Sequence, residues 1–541
     1  MDEGPVSDYA KLNWKLADPI DAQTQAIVIS GFGGLGTGRA LFLQVSNSGG
    51  DWLTALRKVA PISTAEPPTE AEAKRSAAIA FTWSGLQAMG LDARALASFS
   101  DPFREGMLQE DRLRRLGDRR KDEWQKTVVD GGPKWSGNCM AGRPVERAEG
   151  TAFAVRDPDK HEETLRTELT VHVLLLLYAI DDAEADAWRK DVEQVLAKFG
   201  VRTAHHLPLM VDPNGIGISS EHFGFADGLS QPVPFDADPK AKRKMVTANG
   251  SPVPADPIHG VPLGEILFGY TNGHNEPAPG PVVPADDRGR PQAAKLEPHP
   301  EGEGFFDFGR NGSYLVAREL LQDVAAFWCS MDANAKHIRE QDPSATQVTS
   351  YWLAERVVGR NRDGHLLCPK PMNLLNPLAG GGPDSNYRFY KSDRHGTGCP
   401  PGSHVRRANP RDALSPFPDE GALKAAMKSA NNHRILRRGR KFGPKIEDER
   451  KDDNVPRGLL FMCLNTDIAR QFEFVQQTWL MNSNFATLLD ETDPLIGPPG
   501  RMTIREEPLR RTIEVDTFVK FAGGEYFFLP SLPALAYLEA L

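Results

Sequence analysis

The order of predicted elements points to an α+β fold built on antiparallel sheet. Strand-like and helix-like segments of the first half follow one another approximately as βαββαβ, and few crossovers are long enough to return a parallel strand. The chain has 541 residues, 40% hydrophobic and 25% charged, which exceeds what one core ordinarily fills, so two domains are expected.

Taken in order, Gln25 to Ser30 and Arg39 to Val45 read as strands, Asp51 to Val59 as a helix, and Ala77 to Trp83 as a strand. Leu169 to Ile180 (LTVHVLLLLYAI) is the longest apolar run. It is too short to span a bilayer and reads as a buried strand over Leu169 to Ala179, followed by a helix from Asp182 to Phe199. A second series begins with strand-like Glu265 to Tyr270 and a strand then helix within Gly312 to Ser330. It continues with a strand Gly458 to Leu464, a helix Asp467 to Trp479 and strand-like Phe518 to Pro530. Long Pro/Gly-rich stretches, Asn272 to Gly304 and Asn376 to Ser403, are of the length usual for functional covers or linkers. No internal repeat or sustained heptad is visible.

Net charge is −9 and the sequence pI near 5.9, which disfavours nucleic acid as a partner and shows no basic membrane patch. Five cysteines stand far apart, at 139, 329, 368, 399 and 463, so neither a zinc cluster nor a disulfide framework is suggested. The first residues, MDEGPVSDYAKLNWKL, lack a basic n-region, an apolar h-region and a twin-arginine pair. The expectation is a reducing, cytoplasmic setting.

One glycine-rich segment invites a dinucleotide reading. Gly31 to Gly36 (GFGGLG) satisfies G-x-G-x-x-G, and Asp51 lies 20 residues past Gly31. The fingerprint needs a helix to start at its third glycine, whereas strand-like Arg39 to Val45 follows, so the reading is rejected.

Three other segments carry chemistry. Glu221 to Pro234 (EHFGFADGLSQPVP) sets Asp227 between Gly224 and Gly228, which is either a turn aspartate or a buried acid. Gly402 to Asp412 (GSHVRRANPRD) contains His404, and His433 to Gly443 (HRILRRGRKFG) contains Arg437. Alone, His404 would be a surface histidine of a basic loop. Together, and in this order, the segments resemble the dye-decolorizing (DyP-type) haem peroxidases. AFTWSGLQAMGL from Ala80, FREGM from Phe103, RGLLF, QFEFVQQTW and EYFFLPS extend the resemblance over most of the chain.

The resemblance implies two ferredoxin-like domains, 1–245 ending with the Gly-x-x-Asp-Gly motif and 246–541 holding most of a haem b. It implies His404 as the axial iron ligand, with Asp227 and Arg437 on the open face as proton carrier and charge stabiliser for hydrogen peroxide, through a ferryl porphyrin radical. Arg406 and Arg407, with Arg411 beside them, are candidate partners of the haem propionates, and a solvated basic loop is the equal alternative. Leu459 and Phe461, on one face of a strand by alternation, are implied to line the pocket, a role compatible with ordinary core packing. An axial imidazole ordinarily gives its second N–H to a carboxylate or carbonyl, and Asp516 is the first candidate, with Asp493 behind it. Gly439 stands where some relatives carry a polar side chain.

The expected function is therefore a peroxidase that reduces hydrogen peroxide and oxidises aromatic donors such as dyes and phenols, with a homo-oligomer left open. A distal carboxylate, titrating near ~4 against ~6.5 for histidine, favours turnover at acid pH. The alternatives are a haem-binding or haem-handling protein without peroxidase turnover and a haemless ligand-binding protein. Oxidation of manganese stays open, since Glu447 to Glu449 and Lys451 to Asp453 read as a solvated loop.

Overall fold

The computed structural model describes residues 14–541 except 47–48, 71–72, 140, 145–155, 163–164, 212–218, 238–244, 248–257, 286–294, 301, 303, 369–385 and 507–508. Residues 1–13 of the N-terminal stretch therefore lie outside the described residues, as do parts of both Pro/Gly-rich stretches, at 286–294, 301 and 303 and at 376–385.

Among the described residues, the main sheet contains the strands β1 (Thr37–Val45), β2 (Arg75–Phe81), β3 (Val173–Ala179) and β4 (Val201–Met210) from the first half of the chain. The second half contributes β5 (Ser313–Gln322), β6 (Arg440–Phe442), β7 (Gly458–Asn465) and β8 (Val519–Leu529). The first four stand in the order β4-β1-β3-β2 and the second four in the order β6-β7-β5-β8, all antiparallel. Numbered within its own half, each set follows the same order, 4-1-3-2, read in opposite directions. Two narrow seams join the sets into a closed circuit: Leu209 and Met210 pair with Phe442 and Lys441, and Phe81 pairs with Phe528.

Strand alternation divides the core. Ala40, Phe42, Leu174, Leu176, Leu315, Leu460 and Met462 form one buried cluster shared by both halves, within the circuit. Their neighbours Leu41, Leu43, Leu175, Leu177, Val316 and Cys463 belong to a second cluster under the helices. A strand buried on both faces has no polar positions to alternate, which explains the uninterrupted run in β3. The helices include α1 (Asp51–Val59), α2 (Asp182–Ala197) and α3 (Val324–Gln341). In α2, Asp181 accepts the N–H of Glu184 at the N-terminus, and Ala185, Trp188, Val192 and Leu196 form the buried stripe.

Two expectations need correction. Gln25 to Ser30 is not a strand: Ala26–Val28 is a 3-10 turn, and the carbonyls of Ile27 and Val28 accept from the Arg438 guanidinium instead of a neighbouring strand. Glu265 to Tyr270 follows a 3-10 turn, Leu263–Glu265, and its apolar Ile266, Leu267 and Phe268 are buried as loop. Met245–Thr247 is a short strand that pairs with Trp14–Leu16. As expected, a strand and not a helix follows the glycine-rich segment. There the carbonyls of Gly31, Phe32 and Leu35 accept from Arg440, at 2.9, 2.6 and 2.7 Å, so the loop wraps a guanidinium.

Candidate active site

A cavity of about 320 Å³ lies against the helix-covered face of the second-half strands. Leu320 of β5, Leu459 and Phe461 of β7, and Val519 and Phe521 of β8 make its apolar wall. Phe461 stands opposite Arg318 in the antiparallel register, and Leu459 opposite Leu320. Arg318 is buried and paired with Asp118 at 2.6 Å.

His404 reaches the cavity from α4 (His404–Ala408), whose first turn follows Ser403. Its Nδ1 stands 3.2 and 3.1 Å from the two carboxylate oxygens of Asp493. Nε2 makes no hydrogen bond among the described residues. Asp493 is fully buried and also accepts the N–H groups of Leu495 and Ile496, each at 3.0 Å. Burial pushes its carboxyl up, but the His404 and Arg407 charges and those N–H bonds outweigh burial and hold it below the usual carboxylate range. Asp516, the first candidate for this contact, is exposed and accepts the N–H of its own neighbour Thr517. The carboxylate that meets the imidazole is Asp493.

Asp227 and Arg437 line the same cavity although they stand 210 residues apart in sequence. Arg437 Nη1 lies 3.4 Å from Asp227 Oδ1, and each side chain is about one-third exposed. The Arg437 guanidinium also donates to the Leu229 carbonyl, and the Arg437 N–H donates to Gln231 Oε1 at 3.0 Å. Both anchors come from the loop that carries Asp227. Gly439 is a cavity residue too, and a Cβ there would meet the Leu460 carbonyl oxygen at 2.8 Å. A side chain there would require the backbone to shift.

Arg406 and Arg407 do not line the cavity. Arg406 donates to the Asp393 and Cys399 carbonyls at 2.9 and 2.8 Å. Arg407 donates to the carbonyls of Trp479, Leu480 and Asn482 at 3.1, 2.7 and 2.7 Å. Those carbonyls end a wide helical stretch, π-helical over Ala469–Glu473 and Val475–Leu480, so Arg407 acts as its cap. The cavity cation from the same segment is Arg411, which is 2% exposed. Its Nη2 donates to Asn409 Oδ1 at 3.1 Å, its Nε has no partner, and no carboxylate pairs with it among the described residues. Burial lowers its pKa to about 10. It lies 5.6 Å from the centre of the Tyr387 ring.

A haem fits this donor set. An imidazole held by a buried carboxylate presents its other nitrogen, apolar side chains offer a wall for a flat macrocycle, and a buried guanidinium without a counter-ion suits a propionate. Arg411 was visible in the sequence only as one of three clustered arginines. Glu221, which also lines the cavity, carried no signal beyond its place in the Asp227 loop.

No family model matches the chain. Among curated proteins, it is 27% identical over 413 residues to the multifunctional dye peroxidase DyP2 of Amycolatopsis sp., covering 73% of this chain and 76% of that protein. It is 29% identical over 338 residues to the dye-decolorizing peroxidase msp1 of Mycetinis scorodonius, covering 58% of this chain and 56% of that one. The Anabaena DyP-type peroxidase structure superposes with a TM-score of 0.63 at 21% identity, over 96% of this chain and 94% of that one. The Auricularia auricula-judae enzyme AauDyP, complexed with imidazole, gives 0.66 at 19%, over 96% and 99%. The fold of this chain is thus that of DyP-type peroxidases.

Proposed function

We propose that this chain, a relative of the dye-decolorizing peroxidases in sequence and in fold, is a haem b peroxidase that reduces hydrogen peroxide and oxidises aromatic donors such as dyes and phenols. The observation that carries the reading is the cavity itself: His404, held by Asp493, shares it with the Asp227–Arg437 pair. A neighbour of the same fold has been solved with 2,6-dimethoxyphenol, at a TM-score of 0.64, and a phenol of that kind is the donor class proposed here. The 4-1-3-2 strand order of each half supports two ferredoxin-like units, 1–245 and 246–541, with the haem held mainly by the second.

In this reading His404 Nε2 binds the iron, Asp493 orients the ring and raises its basicity, and Arg411 receives a propionate. The haem, when bound, supplies the two electrons that reduce peroxide to water and recovers them singly from the aromatic donor. Asp227 accepts the proton of one peroxide oxygen and delivers it to the other as the O–O bond breaks. Arg437 offers N–H groups to the negative charge that develops on the departing oxygen. Leu459 and Phe461 keep the pocket dry, which strengthens both effects.

The test is rapid mixing of haem-loaded protein with one equivalent of hydrogen peroxide, followed by 2,6-dimethoxyphenol. The reading expects a prompt, reversible change in the Soret band that the phenol returns to the resting spectrum. Bleaching, or no change, would mark a haem carrier, and failure to take up haem would leave a haemless ligand-binding protein.

A further inference from the structure

We propose that Glu221 is a positioning residue for Asp227: its carboxylate is the hub on which the loop carrying Asp227 closes. This rests on the peroxidase reading of the cavity. Glu221 Oε1 accepts the Phe225 N–H at 2.8 Å, and Oε2 accepts the Phe223 N–H at 2.8 Å and the Gln322 side-chain amide at 2.6 Å. Two of these donors lie in the Asp227 loop. The third stands at the end of β5, so one carboxylate ties the loop to the sheet.

The backbone completes the closure. Glu221 N donates to the Phe225 carbonyl at 3.0 Å, Gly224 N to the Glu221 carbonyl at 3.0 Å, and Asp227 N to the Ser219 carbonyl at 2.8 Å. The turn passes through Gly224 at φ +94°, with the Arg362 guanidinium 3.3 Å from where a Cβ would sit. The Asp227 carboxylate has one hydrogen-bonding partner among the described residues, Arg437 at 3.4 Å. Its place in the cavity is therefore set by its backbone, and the backbone by Glu221.

Three N–H donors aimed at one carboxyl match its ionised form, which accepts everywhere and donates nowhere. Burial opposes that form and pushes the Glu221 carboxyl up to about 7. A half-buried acid kept at that cost, with both oxygens bonded to the loop it sits in, is a structural hub at a functional position.

The experiment compares the full chain, Glu221→Ala, Glu221→Gln and Gln322→Leu by amide hydrogen exchange and by the peroxide reaction of the haem-loaded proteins. Glu221→Ala is expected to speed exchange of the 219–229 segment by about ten- to hundredfold, the worth of hydrogen bonds to a charged group, while β7 stays protected. The peroxide reaction slows on the order of 100-fold, as a misplaced catalytic group requires, and the Soret band is retained. Glu221→Gln keeps one accepting oxygen and is expected to fall between Glu221→Ala and the parent. Gln322→Leu, which leaves the carboxylate in place, shows a smaller change of the same kind and serves if Glu221→Ala does not fold. Parent-like exchange in the loop, a parent-like peroxide rate, or acceleration spread evenly over the whole chain in these variants overturns the proposal. Exchange is read without peroxide, so a parent protein that is inert to peroxide while the loop responds as expected contradicts the peroxidase reading instead.

Discussion

At the residue scale, the proposed peroxide chemistry is divided between two side chains 3.4 Å apart. Asp227→Asn removes the proton carrier and is expected to lower the peroxide reaction about 10²–10⁴-fold, while Arg437→Leu removes charge stabilisation and lowers it about 10²–10³-fold. Single-mixing kinetics at matched haem occupancy check both, and a loss under tenfold in either variant contradicts its role. Asp493→Asn is expected to weaken haem retention by about 10–100-fold, because the imidazole loses the charged acceptor that orients it and raises its basicity. Titration with an apoprotein competitor measures that directly. Asp227, His404 and Arg437 were legible because each stands in a segment whose residues resemble a family pattern. The partner of His404 was legible only as two candidates in the wrong order: Asp493 and Asp516 each have another acid close by, Glu491 and Glu514, and burial, which the sequence does not reveal, separates them. Arg406 and Arg407 were misassigned for the same reason. Adjacent arginines on a short helix face different ways, and sequence does not say which of them finds backbone carbonyls first.

At the element scale, strands and helices with a clear period were legible, and apolar segments without one were not. β1, β2, β7 and β8 match their expected positions within two residues at either end, β3 begins at Val173, four residues later than expected, and β5 falls inside the segment expected to hold a strand and then a helix. Gln25 to Ser30 and Glu265 to Tyr270 failed because their apolar content serves burial without pairing, and short apolar runs do not reveal that difference. The wide helix over Ala469–Leu480 was expected as an ordinary helix, since a π-helical hydrogen-bond pattern leaves no mark on composition. The Gly31 to Gly36 loop has a physical use that replaces the rejected dinucleotide site. Arg440, nearly buried and 4.4 Å from the centre of the Tyr178 ring, satisfies three of its carbonyls. Arg440→Met is expected to cost about 1–3 kcal/mol of stability by leaving those carbonyls unpaired. Urea unfolding of haem-free protein checks this, and a change within ±0.5 kcal/mol refutes it.

At the scale of the whole molecule, the two halves are joined by more than their narrow sheet seams. Glu525 on β8 is 1% exposed and accepts N–H groups from Met107 at 2.7 Å, Gly137 at 2.9 Å and Tyr526 at 2.9 Å, so a second-half carboxyl holds two first-half loops. Burial, acting against those bonds, raises its pKa to about 6 from 4.5. A carboxyl raised in the folded state contributes stability that is fully present below the unfolded value and is lost as pH climbs through the folded one. The stability of the parent relative to Glu525→Gln is therefore expected to fall between about pH 4.5 and 6 and to level off above that. Thermal midpoints of both proteins across pH 4 to 8 check the sign, and a difference that grows with pH contradicts it. The 4-1-3-2 order of each half was foreshadowed by the alternation of elements, but the closure of both halves into one circuit was not, because seams of two residues and one residue have no pattern to read. The claim on which all else depends is that His404 grips the iron of a haem in this cavity. The most direct measurement is the absorption and electron paramagnetic resonance spectrum of haem-loaded parent and His404→Ala, with and without added imidazole. The account predicts histidine-ligated haem in the parent, its loss in the variant and its return with imidazole. A variant that keeps the parent spectrum would contradict it.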